Sequence, residues 1–130
     1  MASDRAQLIR YSRPGADDDV VIVESPLLRV IARVERDSHQ ASVELIGELD
    51  LAGVEQVELV LRRAEHSRMP VVLVDLSGLH FIDLPGLRLL LGADERTRRR
   101  GQRLIFLRPP PEAASVFALT GADEQLTFLD

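Results

Sequence analysis

The sequence predicts an α/β domain: a mixed, mostly parallel sheet of four to five strands with helices packed on it. Three observations carry the prediction. Two runs alternate apolar and polar residues with a period near two, helical repeats at spacings of three and four follow them, and a short apolar run comes after each of the first two helical repeats. Strands alternating with helices after a hairpin imply parallel pairing through right-handed crossovers, with an antiparallel edge.

Each element has its own signal. Residues 1–26 contain Ser3, Ser12, Pro14, Gly15 and the acidic run Asp17, Asp18 and Asp19, a composition that buries little and reads as a flexible extension. Within it, residues 20–23 are apolar enough to serve as an additional edge strand. From Leu28, the residues Val30, Ala32 and Val34 alternate with Arg29, Ile31 and Arg33, and after a turn over 36–40, Val43, Leu45 and Gly47 alternate with Glu44, Ile46 and Glu48. These two runs predict an antiparallel hairpin. Asp50 reads as the cap of a first helix, with Leu51, Val54, Val57 and Ala64 on its apolar face and its end near His66. Past Pro70, the run Val71, Val72, Leu73 and Val74 predicts a central strand covered on both faces. Residues 75–82 read as the loop after it. Leu84, Leu87, Leu90 or Leu91, and Ala93 or Asp94 open a second helix that runs into Arg96, Arg98, Arg99 and Arg100 and stops at Gly101. Residues 104–107 predict a third buried strand, Pro109, Pro110 and Pro111 break the chain, residues 112–119 form a short helix, and 126–128 a final strand.

Composition limits the function. The 130 residues suit one domain, and 45% hydrophobic with 28% charged residues is the balance of an ordinary globular protein. No apolar run nears the roughly 20 residues of a bilayer crossing, and residues 1–19 lack the layout of a signal peptide, so the expected location is cytoplasmic and no membrane insertion is expected. Absence of Cys excludes disulfides and thiolate metal sites. A net charge of −5 argues against nucleic acid as a partner. All 16 basic residues are Arg, a bias that reads as the codon usage of a GC-rich genome.

Several strings stand in order: Gly47, Glu48, Leu49 and Asp50 before the first helix; Val74 to Leu79 after the central strand; Phe81, Ile82, Asp83, Leu84, Pro85, Gly86 and Leu87 opening the second helix; Gly101 before a strand; and Leu119, Thr120 and Gly121 before the last one. Together they resemble the STAS domain family of bacterial anti-sigma factor antagonists (anti-anti-sigma factors) over residues 28–130, which gives a STAS domain over 27–130. The resemblance implies partner switching in transcription regulation. The antagonist binds an anti-sigma factor that is itself a GHKL-type serine kinase, and phosphorylation of the second of two Ser or Thr residues between the Asp and the Gly ends the binding. Here Asp83 and Gly86 match, but Leu84 and Pro85 stand at the hydroxyl positions. Pro85 occupies the acceptor's place, and neither side chain has an oxygen to phosphorylate.

The substitution suits a helix start, since Pro fits the first turn and Asp83 caps it. The expected partner surface therefore comprises residues 48–53, 80–86 and the exposed side of the second helix, with Glu48, Asp50, Gly53, His80, Asp83, Leu84, Pro85, Gly86, Arg88 and Leu91 singled out. Plainer readings stand beside this one. Asp50 and Asp83 are explained as caps without a partner, Ser77 as a turn residue beside Gly78, and Arg96 to Arg103 as a solvated helix end matching the helix dipole. Thr97 and Thr120 have no better claim to phosphate than Ser77. His39, His66 and His80 lack the spacing of metal ligands, and no nucleotide loop or nucleophile elbow occurs, so no cofactor, metal or enzymatic activity is expected. A STAS subunit of a lipid-transport ABC complex and the scaffold of a signalling assembly remain the alternatives. Monomer and homodimer are both left open.

Overall fold

In the computed structural model, described over residues 7–12 and 19–129, one seven-stranded sheet runs in sequence order. The elements are β1 (Gln7–Ser12), β2 (Asp19–Glu24), β3 (Leu28–Glu35), β4 (Gln40–Leu49), α1 (Leu51–His66), β5 (Val71–Ile82), α2 (Leu84–Arg99), β6 (Arg103–Leu107), α3 (Pro111–Thr120), α4 (Ala122–Gln125) and β7 (Phe128–Leu129). Strands β1 to β4 pair antiparallel, and β4 to β7 pair parallel. The α/β class is as the sequence predicts, but the sheet is larger than four to five strands and its pairings divide evenly between the two kinds.

Two corrections concern strands. Where one additional edge strand over 20–23 was expected inside a flexible extension, two strands are present, and β2 is not the edge because β1 pairs outside it. Val21 and Val23 face the core while Val20 and Ile22 face away, so the uninterrupted apolar spelling hides a period of two. The remainder of the expected extension, residues 1–6 and 13–18 with Asp17 and Asp18, lies outside the described residues.

The second correction replaces the loop expected over 75–82 by strand, for β5 continues to Ile82. Its buried residues there are Leu76, Leu79 and Ile82, spaced by three rather than two. The register explains the spacing. Glu44 pairs with Asp75 but Ile46 with Gly78, and Gly47 with Leu79 but Glu48 with Phe81, so β5 carries an additional residue at each of two bulges. At the chain's end, the strand expected over 126–128 is the shorter β7, preceded by α4.

One face of the sheet forms the core. Val30, Val43, Leu45, Val72, Val74, Leu76 and Phe106 point into it, and α1 packs over β3 and β4, α2 over β6, and α3 over β5. On α1 the buried stripe of Val57, Val60, Leu61 and Ala64 follows the predicted helical spacing. The two long helices are joined near their C-terminal ends by an ion pair that was expected to be part of a solvated surface. Glu65, with a side chain 1% exposed, accepts from Nε and Nη2 of Arg96 at 2.9 Å each. Arg96 is thus half-buried in a helix contact, while Arg98, Arg99 and Arg100 keep the solvated role.

Candidate functional site

The end of β5 and the starts of α1 and α2 meet at one corner, and a single carboxylate organises it. Asp83 sits in extended conformation before α2, and its Oδ1 accepts from the Gly86 amide at 3.0 Å, as a helix cap should. Its Oδ2 accepts from the Leu51 amide of α1, also at 3.0 Å. The amide of Asp83 donates to the Leu49 carbonyl at 3.2 Å, and its carbonyl accepts from Leu87 at 2.9 Å. One side chain therefore satisfies an otherwise unpaired amide on each of two helices. Asp50 caps α1 itself through the Ala52 amide at 3.0 Å.

Both helix starts approach the sheet closely because of two glycines. A Cβ on Gly86 would lie 2.9 Å from Leu49 Cγ and 3.0 Å from Ile82 Cγ1, and one on Gly53 would lie 3.0 Å from Leu28 Cδ2. Gly53 and Gly86, expected on the contact surface, are buried and serve it from beneath. Pro85 stands in the first turn of α2 and is half-buried.

Above this frame the corner exposes hydrocarbon. Leu84 is 54% exposed, Leu51 70% and Phe81 45%, and the bond from the Leu51 amide to Asp83 ties together the two helix starts that carry the first two. Leu51 and Phe81 fall within the expected segments but were not singled out, since Leu51 reads as the first core position of an amphipathic helix and Phe81 as a loop residue. Glu48 and His80 are exposed at the margin, and Arg88, also exposed, stands one turn beyond Leu84 on the same side of α2. Leu91 is half-buried.

His80 also joins the corner to α3, its Nδ1 lying 3.0 Å from Oε1 of Glu112. That hydrogen bond holds the Glu112 carboxyl below its ordinary value of 4.5. A carboxylate depressed in the folded state stabilises fully above its unfolded value, and the contribution is lost as pH falls through the lower folded value. In urea unfolding, the advantage of the natural chain over Glu112→Gln is therefore expected to be present above the ordinary carboxylate range and to vanish in stronger acid. An advantage that persisted at full strength there would contradict the assignment. Among the described residues, no group of three or more His, Cys, Asp or Glu side chains is placed to hold a metal. Among them, too, no helix is long and apolar enough to cross a membrane.

The family model described as "Mlab, STAS domain" matches residues 32–129, which include the whole corner. An anti-sigma F factor antagonist of Lysinibacillus sphaericus is 32% identical over 80 residues, 61% of this chain and 68% of that protein. Among solved structures, an anti-sigma factor antagonist from Mycobacterium paratuberculosis superposes with a TM-score of 0.64 over 96% of this chain and 86% of that one, at 17% identity, a likeness of fold. SpoIIAA, an anti-sigma factor antagonist described as a Bacillus cell fate determinant, is similar in two forms. The unphosphorylated form has a TM-score of 0.60 and 26% identity, covering 70% of this chain and 80% of that one. The phosphorylated form has a TM-score of 0.54 and 26% identity, covering 71% and 84%.

Proposed function

The chain belongs to the STAS domain family, and from that premise we propose that it is an anti-sigma factor antagonist that binds a kinase-type anti-sigma factor through the Asp83 corner. In this reading the chain acts by binding and catalyses nothing itself. The observation that carries the proposal is the exposure of Leu84 together with Leu51 and Phe81 on a frame fixed by Asp83. Apolar side chains held in water by a rigid support gain free energy when a partner covers them.

Relatives of this chain include a protein solved in both unphosphorylated and phosphorylated forms. Here Leu84 and Pro85 carry no hydroxyl between Asp83 and Gly86. A phosphate would bring a charge of about −1.5 to −2 to such a surface. Without an acceptor, association is governed by hydrocarbon contact and does not respond to ATP.

The experiment is a binding measurement with purified kinase-type anti-sigma factors, with and without ATP, followed by mass spectrometry of the antagonist. The expected result is one binding curve in both conditions and no phosphate on residues 77–86. Leu84→Arg is expected to weaken binding about tenfold or more without altering thermal stability. Stoichiometric phosphorylation in that segment with loss of binding would remove the proposal. Because the matching family model carries the description Mlab, a transporter ATPase belongs in the same assay, and its capture in place of the kinase would assign the chain to the alternative of a transport-complex subunit.

A further inference from the structure

Next to the corner, the turn between β2 and β3 and the flank of α1 enclose an open groove of about 460 Å³. Leu27 on the turn is 53% exposed and Leu59 on the helix 68% exposed. Three carboxylate residues, Glu48, Asp50 and Glu55, line the groove, and no basic residue does.

Leu51, Glu55 and Leu59 follow one another at i, i+4 and i+8 along α1, a stripe about 12 Å long. The stripe reads apolar, acidic, apolar. We infer that this stripe and the groove beside it receive a helix of the protein partner whose facing stripe reads apolar, basic, apolar. A second copy of this chain fits poorly, because a two-fold contact along α1 would set Glu55 and its acidic neighbours against themselves. The inference rests on the docking reading above and extends its surface from the Asp83 corner along α1.

The test uses two synthetic Ala-based helical peptides of about 16 residues, one carrying Leu, Arg and Leu on a single face, the other Glu in place of Arg. Each is titrated into the isotope-labelled full chain and followed by amide chemical shifts. The Arg peptide is expected to shift residues 25–28 and 52–59 and to saturate below about 1 mM, and the Glu peptide to bind about tenfold more weakly. Leu59→Arg should lower affinity for the Arg peptide about tenfold. Equal binding of the two peptides, shifts located elsewhere, or none at all would overturn the inference. So would groove shifts that depend on protein concentration alone, which would identify the occupant as a second copy. With the kinase partner, loss of binding in Leu84→Arg but not in Leu59→Arg would sink the groove and leave the corner. If neither variant changes binding, the docking reading fails, and the peptide titration still decides the groove.

Discussion

Replacing Gly47 by alanine is expected to lower the free energy of unfolding by about 3–5 kcal/mol, the sum of backbone strain and steric overlap. Gly47 has φ +112°, a region that side-chain-bearing residues rarely enter, and a Cβ there would lie 2.2 Å from the backbone carbonyl oxygen of Leu27. That oxygen cannot swing aside, because it accepts the Glu48 amide at 2.9 Å and so ties the β2–β3 turn to β4. Gly101→Ala is the control. Its φ is +75°, but nothing lies within 4 Å of the added carbon, so only the strain of about 1–3 kcal/mol applies. Urea unfolding of the two variants measures the difference. If Gly47→Ala costs no more than Gly101→Ala, the close approach of the turn is not what requires glycine.

The second large effect concerns the contact between α1 and α2. Arg96→Met removes the paired cation from Glu65 and is expected to cost about 3–5 kcal/mol, the usual penalty for leaving one member of a buried pair uncompensated. Arg100 does not replace it, since its Nη1 is 3.9 Å from Glu65 Oε1 with the side chain 40% exposed. The double variant Arg96→Met with Glu65→Leu is expected to regain most of the loss, because an apolar pair of similar volume has no charge to desolvate. A double variant as unstable as the single one would show that packing, not the stranded charge, sets the cost. Arg96 is itself held above its ordinary value, first by the hydrogen bond to Glu65.

What could be read from the sequence is what local chemistry determines. Asp50 and Asp83 have the cap chemistry of their positions, and both cap. Alternation gave β3 and β4, and spacings of three and four gave α1 and α2, to within a residue or two at most ends. Features set by distant chain did not show. Asp83 reaches Leu51 across 32 positions and Arg96 reaches Glu65 across 31, and no local pattern announces either pairing. Strand β5 was read short because its bulges break the period that identifies a strand. Gly47 looked like an ordinary strand residue, since the turn that crowds it lies twenty positions earlier. At the site, the Asp83 turn is legible, whereas the exposure of Leu51 is not, because a leucine opening an amphipathic repeat reads as core, and that of Phe81 is not, because β5 reads as ending before it.

The change of pairing at β4 has a consequence for the time order of assembly. The antiparallel part closes through the short segments 13–18, 25–27 and 36–39, whereas joining β4 to β5 requires the chain to enclose all of α1. A roughly fivefold longer loop costs roughly 1.4 kcal/mol more in closure entropy, and pairings distant in sequence form slowly. The meander can therefore zip up first, while the carboxylate of Asp83 meets the Leu51 amide only once Leu49 and Ile82 are neighbours across that seam. The corner is thus a property of finished molecules: a chain caught half-assembled, with β5 not yet beside β4, does not carry it.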